Sequence, residues 1–202
     1  DCGHDDGPDC QELKDFRKSS GEYIPIALVG CFDTVGALGI PEILPFDGFF
    51  NRRYQFHNTV LPSIVANGIH IVAIDELKRS FSHTEMHGSL AGQVTEIWMP
   101  GDHGDIGDAN FIALADIAVN SLLDEMEKRQ LRLEVNKDFL TQGDPLATMD
   151  KGFDWLRFFF GTEHRKIPQF EVLHLPSVKA RYNGLSGYRP PALENFRSLL
   201  LE

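Results

Sequence analysis

The chain has 202 residues, 42% of them hydrophobic, which suits one domain of ordinary size with a sizeable core, or one domain and an appendage. Its 19 basic and 30 acidic residues leave a net charge of -11, which repels phosphate backbones and anionic membrane surfaces at long range and argues against a nucleic-acid partner. No apolar run reaches the roughly 20 residues that a transmembrane helix needs, and no positive segment followed by an apolar stretch opens the chain.

Taken in chain order, residues 1–23 are polar, rich in Gly and Asp, and read as a loop or the remnant of an insertion with a short helix in QELKDFRK. IPIALVGC, 24–31, is a near-continuous apolar run of strand length, as expected of a strand buried on both faces of a parallel sheet. Residues 59–80, TVLPSIVANGIHIVAIDELKRS, carry apolar residues at helical spacing around Asn67-Gly68 and read as one broken helix or two short ones. QVTEIWM, 93–99, alternates and is β-rich, so it reads as a second strand. FIALADIAVNSLLDEMEKRQ, 111–130, places Leu114, Ala118, Leu122 and Met126 on one stripe of an amphipathic helix. The tail holds an aromatic cluster, FDWLRFFFG at 153–161, and a Pro-rich end, YRPPAL. Strand, helix, strand, helix predicts an α/β domain, a mostly parallel sheet with flanking helices. The divisions expected are 1–23, a domain core over 24–140, and an appendage of that same domain over 141–202.

Two loops follow the two predicted strands: CFDTVGALG, 31–39, and PGDHGDIGD, 100–108. Each delivers one chemistry-bearing side chain just past a strand end, Asp33 in the first and His103 in the second. In open α/β sheets that edge is where ligands bind, and an acid and a histidine from two such loops can converge there. A serine hydroxyl needs an imidazole to take its proton, and the imidazole needs a carboxylate to hold its tautomer. Glycines around His103 allow backbone torsions closed to other residues.

The stretches GCFDTVGALGIP, FHNTVLPSIVANGIHIVAIDELKRSF and IWMPGDHGDIG resemble the C-terminal half of a family of α/β-hydrolase-like domains that includes the catalytic domain of type VI secretion phospholipase effectors. In that family W/F-D-T-V-G carries the acid and W-F-P-G-x-H-x-D/C-V-G-G the histidine. LHLPSVKARY and GYRPPAL are similar to a segment that follows the family's core. The likeness covers roughly residues 24–124 well and the tail more loosely. It implies a partial α/β-hydrolase-like fold, Asp33 as triad acid, His103 as general base, and hydrolysis of an ester, with phospholipid or other lipid as the substrate class. It also implies a nucleophile in an upstream G-F-S-R-G-A elbow, and no G-x-S-x-G occurs in the 202 residues. GLSG at 184–187 has the wrong spacing, and Ser177 and Ser186 have no elbow around them. After the histidine loop this chain departs from the family's glycine run, with Asp108, Ala109 and Asn110 following Gly107.

Plainer readings stand beside these. Asp33 alone could be a turn or cap residue and His103 an exposed loop histidine. Asp105 either fixes the loop or orients His103, or is a solvated turn carboxylate. Asp102, Asp105 and Asp108 are spaced by three, unlike an EF-hand, so no calcium site is expected. His83 and His87 lie four apart without the H-E-x-x-H glutamate and read as a surface pair. Cys2, His4 and Cys10 lack a fourth zinc ligand. With Cys31 they make an odd cysteine count without regular spacing, which points to a reducing compartment. The run 158–160 with Trp155 reads as appendage core.

The reading that follows is the acid-and-histidine half of a serine ester hydrolase, needing no cofactor, cytoplasmic or exported by a route without a signal peptide. Because the chain opens on Asp1, sequence upstream is expected. The alternative is a truncated, non-catalytic binding module whose sheet edge is covered by the missing N-terminal half or a partner chain.

Overall fold

The computed structural model describes residues 11–20, 25–34, 59–107, 112–149 and 161–201. Cys2, His4, Cys10, Asp108, Trp155 and the run 158–160 lie outside them. A polar helix, α1 (Gln11–Ser20), forms where QELKDFRK predicts one. The centre is a three-stranded parallel sheet in the order β1 (Val29–Phe32), β3 (Gly68–Ala73), β5 (Val94–Met99). A second parallel pair joins two short strands, β2 (Val60–Leu61) and β4 (His87–Gly88). The α/β class expected from the sequence is therefore present, as a mostly parallel sheet with flanking helices.

One element departs from expectation. Residues 68–73, read as helical, form the central strand, and residues 83–88 hold no helix that His83 and His87 could share. All six residues of β3 are buried, so both faces need apolar or internally bonded side chains and the alternation that marks a strand disappears. Two parallel crossovers, from β1 to β3 and from β3 to β5, replace the predicted strand-helix-strand order.

The two faces of β3 bury different cores. Ile69, Ile71 and Ala73 pack with Met99 against Leu114, Ala118 and Met126 of helix α3 (Ile112–Lys128), as its stripe predicts. Val72, Ile74 and Trp98 pack on the other side against Leu173, Val178, Tyr182, Leu193 and Leu200. This second layer comes from helices α4 (Leu175–Gly184) and α5 (Arg197–Leu201) and the turns around them. Two packed layers hold the sheet rigid, so the loops at its C-terminal edge start from fixed points. Among the described residues no helix is long and apolar enough to cross a membrane.

Candidate active site

Asp33 is the first residue past β1. Its N–H continues the ladder to the Ile71 carbonyl at 2.7 Å, and then the backbone turns into the left-handed region at φ 45°. Few residues other than glycine adopt that conformation, although aspartate is among those that tolerate it. The turn drives the side chain back under the sheet edge, where it is 1% exposed. There the carboxylate collects four donors. Oδ1 accepts from the Ala73 N–H at 2.8 Å and from Arg165 Nη1, while Oδ2 accepts from Arg165 Nη2 at 3.0 Å and His103 Nδ1 at 2.9 Å. Burial pushes the Asp33 carboxyl up, but the hydrogen bond from His103 and the Arg165 guanidinium outweigh it and hold it at about 2.

His103 is the first residue of a one-turn helix, α2 (His103–Ile106), placed just past β5. The tight approach depends on Gly101, at φ 129°, a conformation that L side chains rarely adopt. Asp102 and Asp105 then form a reciprocal capping box: Asp102 Oδ1 accepts from the Asp105 N–H and Asp105 Oδ2 from the Asp102 N–H, each at 3.0 Å. Asp105 is 1% exposed and is a loop-fixing residue, which overturns its reading as a solvated turn carboxylate.

The segment after β3 anchors this loop. Asp75 exchanges backbone and side-chain bonds with Gly101, and buried Glu76 accepts from the His103 N–H at 3.3 Å. Phe81 lies flat on the imidazole, its ring 4.8 Å away and 14° from parallel. With Nδ1–H donating to Asp33, the lone pair of His103 sits on Nε2, and a third of the side chain (34%) remains exposed. The hydrogen bond to Asp33 lifts the imidazole above its ordinary range, with burial acting in the opposite direction.

The structure thus brings together the two residues singled out from the sequence, and adds Arg165, Asp75, Glu76 and Phe81 around them. Arg165, 8% exposed and 132 positions from Asp33, also donates to the carbonyls of Ala73 and Phe81. No local sequence pattern marks it. Asp75 and Glu76 follow β3 after one intervening residue and stand out once that strand is recognised. Glu76, Phe81 and Arg165, with Ser82, His83 and Trp98, line part of a cavity of about 240 Å³.

The other candidates separate from the site. His83 is not a surface residue: it contacts His70 and Trp98 and bonds Glu96, whereas His87 is exposed beside Glu85. His70, His83 and Glu96 each bring one ligand atom within 4.8 Å of the others and are the described residues with a donor set for a metal. Asp102 and Asp105 spend their carboxylates on each other's amides. Ser177 is buried, its hydroxyl bonded to the ring Nδ1 and to the carbonyl of His174 at the first turn of α4.

Asp75 offers a pH test of the anchoring. Burial pushes its carboxyl up to about 6 against the hydrogen bonds from Gly101 and the Tyr188 hydroxyl. A raised pKa contributes stability that is full below the unfolded value near 3.8 and lost as pH rises through about 6. Asp75→Asn, always neutral, is expected to gain about 1.4 kcal/mol on the native chain between pH 5 and pH 7.5 in urea melts. A gap that does not change with pH would mean that Asp75 does not titrate in this range.

A parallel sheet with an aspartate and a histidine hydrogen-bonded across its C-terminal edge defines an α/β-class chain. The chain belongs to the family described as T6SS, phospholipase effector Tle1-like, catalytic domain, which matches residues 4–125. No curated protein and no solved structure matches it.

Proposed function

We propose that this chain carries the acid and the base of a serine ester hydrolase acting on phospholipid or related lipid. The observation that carries the reading is the 2.9 Å bond from His103 Nδ1 to Asp33 Oδ2, at the sheet edge of a chain from a phospholipase effector family. In this reading His103 Nε2 accepts the proton of a serine hydroxyl as it attacks the ester carbonyl, then returns it to the leaving alcohol. Asp33 holds the imidazole in the required tautomer and stabilises its charged form. In this reading the serine comes from outside these 202 residues, since no nucleophile elbow is present and the buried Ser177 hydroxyl is engaged by His174. A cavity of about 300 Å³, walled by Ile74, Leu77, Met149 and Pro190 and reaching Asp102 beside His103, suits the acyl chain.

The test is hydrolysis of short-chain acyl esters and phospholipid vesicles by the 202-residue chain and by the longest natural polypeptide containing it, each with and without His103→Ala. The expected result is turnover only in the longer form, reduced by roughly 10⁶-fold in the variant. Its rising limb with pH should lie above the ordinary histidine value of 6.5, because a base must be neutral to accept a proton. Turnover by the 202 residues alone, lost with His103, would place the nucleophile inside them. Inactivity of both forms would favour a non-catalytic binding module.

A further inference from the structure

His70 lies in the middle of β3, 1% exposed, in one row across the sheet with Cys31 and Glu96. Its Nε2 accepts the backbone N–H of Thr34 at 3.1 Å. An amide can only donate, so Nε2 carries no proton and the ring's hydrogen sits on Nδ1, facing Glu96 Oε1 at 3.3 Å. The same oxygen accepts from His83 Nε2 at 3.1 Å and the Met86 N–H at 3.2 Å. Burial pushes the Glu96 carboxyl up, yet the hydrogen bonds from His70 and His83 outweigh it and hold the carboxyl well below its usual range, in the form that accepts all three hydrogens.

Thr34 follows the left-handed Asp33. The peptide between them therefore decides how the Asp33 side chain leaves the strand, and it is fixed from both ends. Asp33 N–H bonds the Ile71 carbonyl before the turn, and Thr34 N–H bonds His70 after it. Without the second bond, the Thr34 amide loses its side-chain acceptor and the turn loses what holds it against its backbone preference.

We propose that His70 is a positioning residue for Asp33: with its tautomer fixed by Glu96, it clamps the Asp33–Thr34 peptide and so sets the direction in which the carboxylate meets His103. The consequence for catalysis rests on the reading of Asp33 and His103 as acid and base. The cluster's composition also suits zinc, which takes histidine and carboxylate ligands. A metal on His70 Nδ1 would displace its proton, leaving either an imidazolate or an Nε2–H pointed at the Thr34 N–H. The hydrogen-bonded arrangement places each of these hydrogens on an acceptor without a metal.

The test is nuclear magnetic resonance on the ¹⁵N-labelled chain, which needs no turnover. In the unaltered protein, long-range ¹H–¹⁵N correlations should show His70 protonated on Nδ1 alone; a proton on Nε2 would overturn the proposal without recourse to a variant. His70→Leu, which removes the acceptor, is expected to speed hydrogen exchange at the Thr34 amide by about ten-fold and to shift the His103 Nδ1 proton signal. His70→Gln, whose carbonyl reaches as far as Nε2, should restore both. An unmoved His103 signal in His70→Leu would reduce His70 to a core residue and overturn the clamp. Zinc added to the unaltered chain should leave the His70 signals in place, and tight zinc binding lost in His83→Ala would overturn the proposal in favour of a metal site. Because these signals report geometry only, a clamp that is present in a protein without hydrolysis separates failure of the functional reading from failure of this one.

Discussion

Asp33→Asn is expected to lower ester turnover about 10⁴-fold in the hydrolytically competent polypeptide. The direction of the effect follows from who donates to each oxygen. Oδ1 accepts from Ala73 N–H and Arg165 Nη1, so an asparagine keeps its carbonyl oxygen there. Its amide nitrogen then falls where Oδ2 was, facing His103 Nδ1 and Arg165 Nη2. An NH₂ group can only donate, so Nδ1 must give up its hydrogen and Nε2 must take it. The nitrogen that should receive the serine proton is then already protonated. Removing the carboxylate also removes what lifts the imidazole above its ordinary range, so the rising limb of the pH profile should move down toward 6.5. Two measurements check this: steady-state hydrolysis from pH 5 to 9, and ¹⁵N shifts of the His103 ring. Near-native turnover with His103 still protonated on Nδ1 would sink the assignment of Asp33 as orienting acid.

The parts of this site that could be read from the sequence share a property: each is announced by its own neighbours. The apolar run before Asp33 and the alternation before His103 mark the strands whose ends carry them, and the glycine at 101 sits where the backbone turns left-handed. β3 had no such marker. A central strand packed on both faces has no polar face, so Ile69, Ile71, Val72 and Ala73 read equally well at helical spacing. Misreading that strand hid Asp75 and Glu76 at its end and His70 within it. Arg165 is illegible for a different reason: its partners Asp33, Ala73 and Phe81 come from two remote segments, and only the assembled fold brings them to one guanidinium.

Arg165→Met is the second large expectation, here on stability. Asp33 and Arg165 are 1% and 8% exposed, so each charge has exchanged water for the other. Breaking such a buried pair from either side leaves one charge uncompensated, at a cost of about 3–5 kcal/mol, whereas removing both together costs less than the sum. Urea unfolding of the native chain, Arg165→Met, Asp33→Ala and the double variant should therefore show a coupling of about 2 kcal/mol or more. Additive losses would mean that the pair is not coupled. Acid provides an independent check on the sign. Because the Asp33 pKa is depressed from 3.8 to about 2, its contribution is present above 3.8 and lost as pH falls toward 2. The gap between the native chain and Arg165→Met should narrow over that window, as the carboxylate that the guanidinium neutralises takes up its proton.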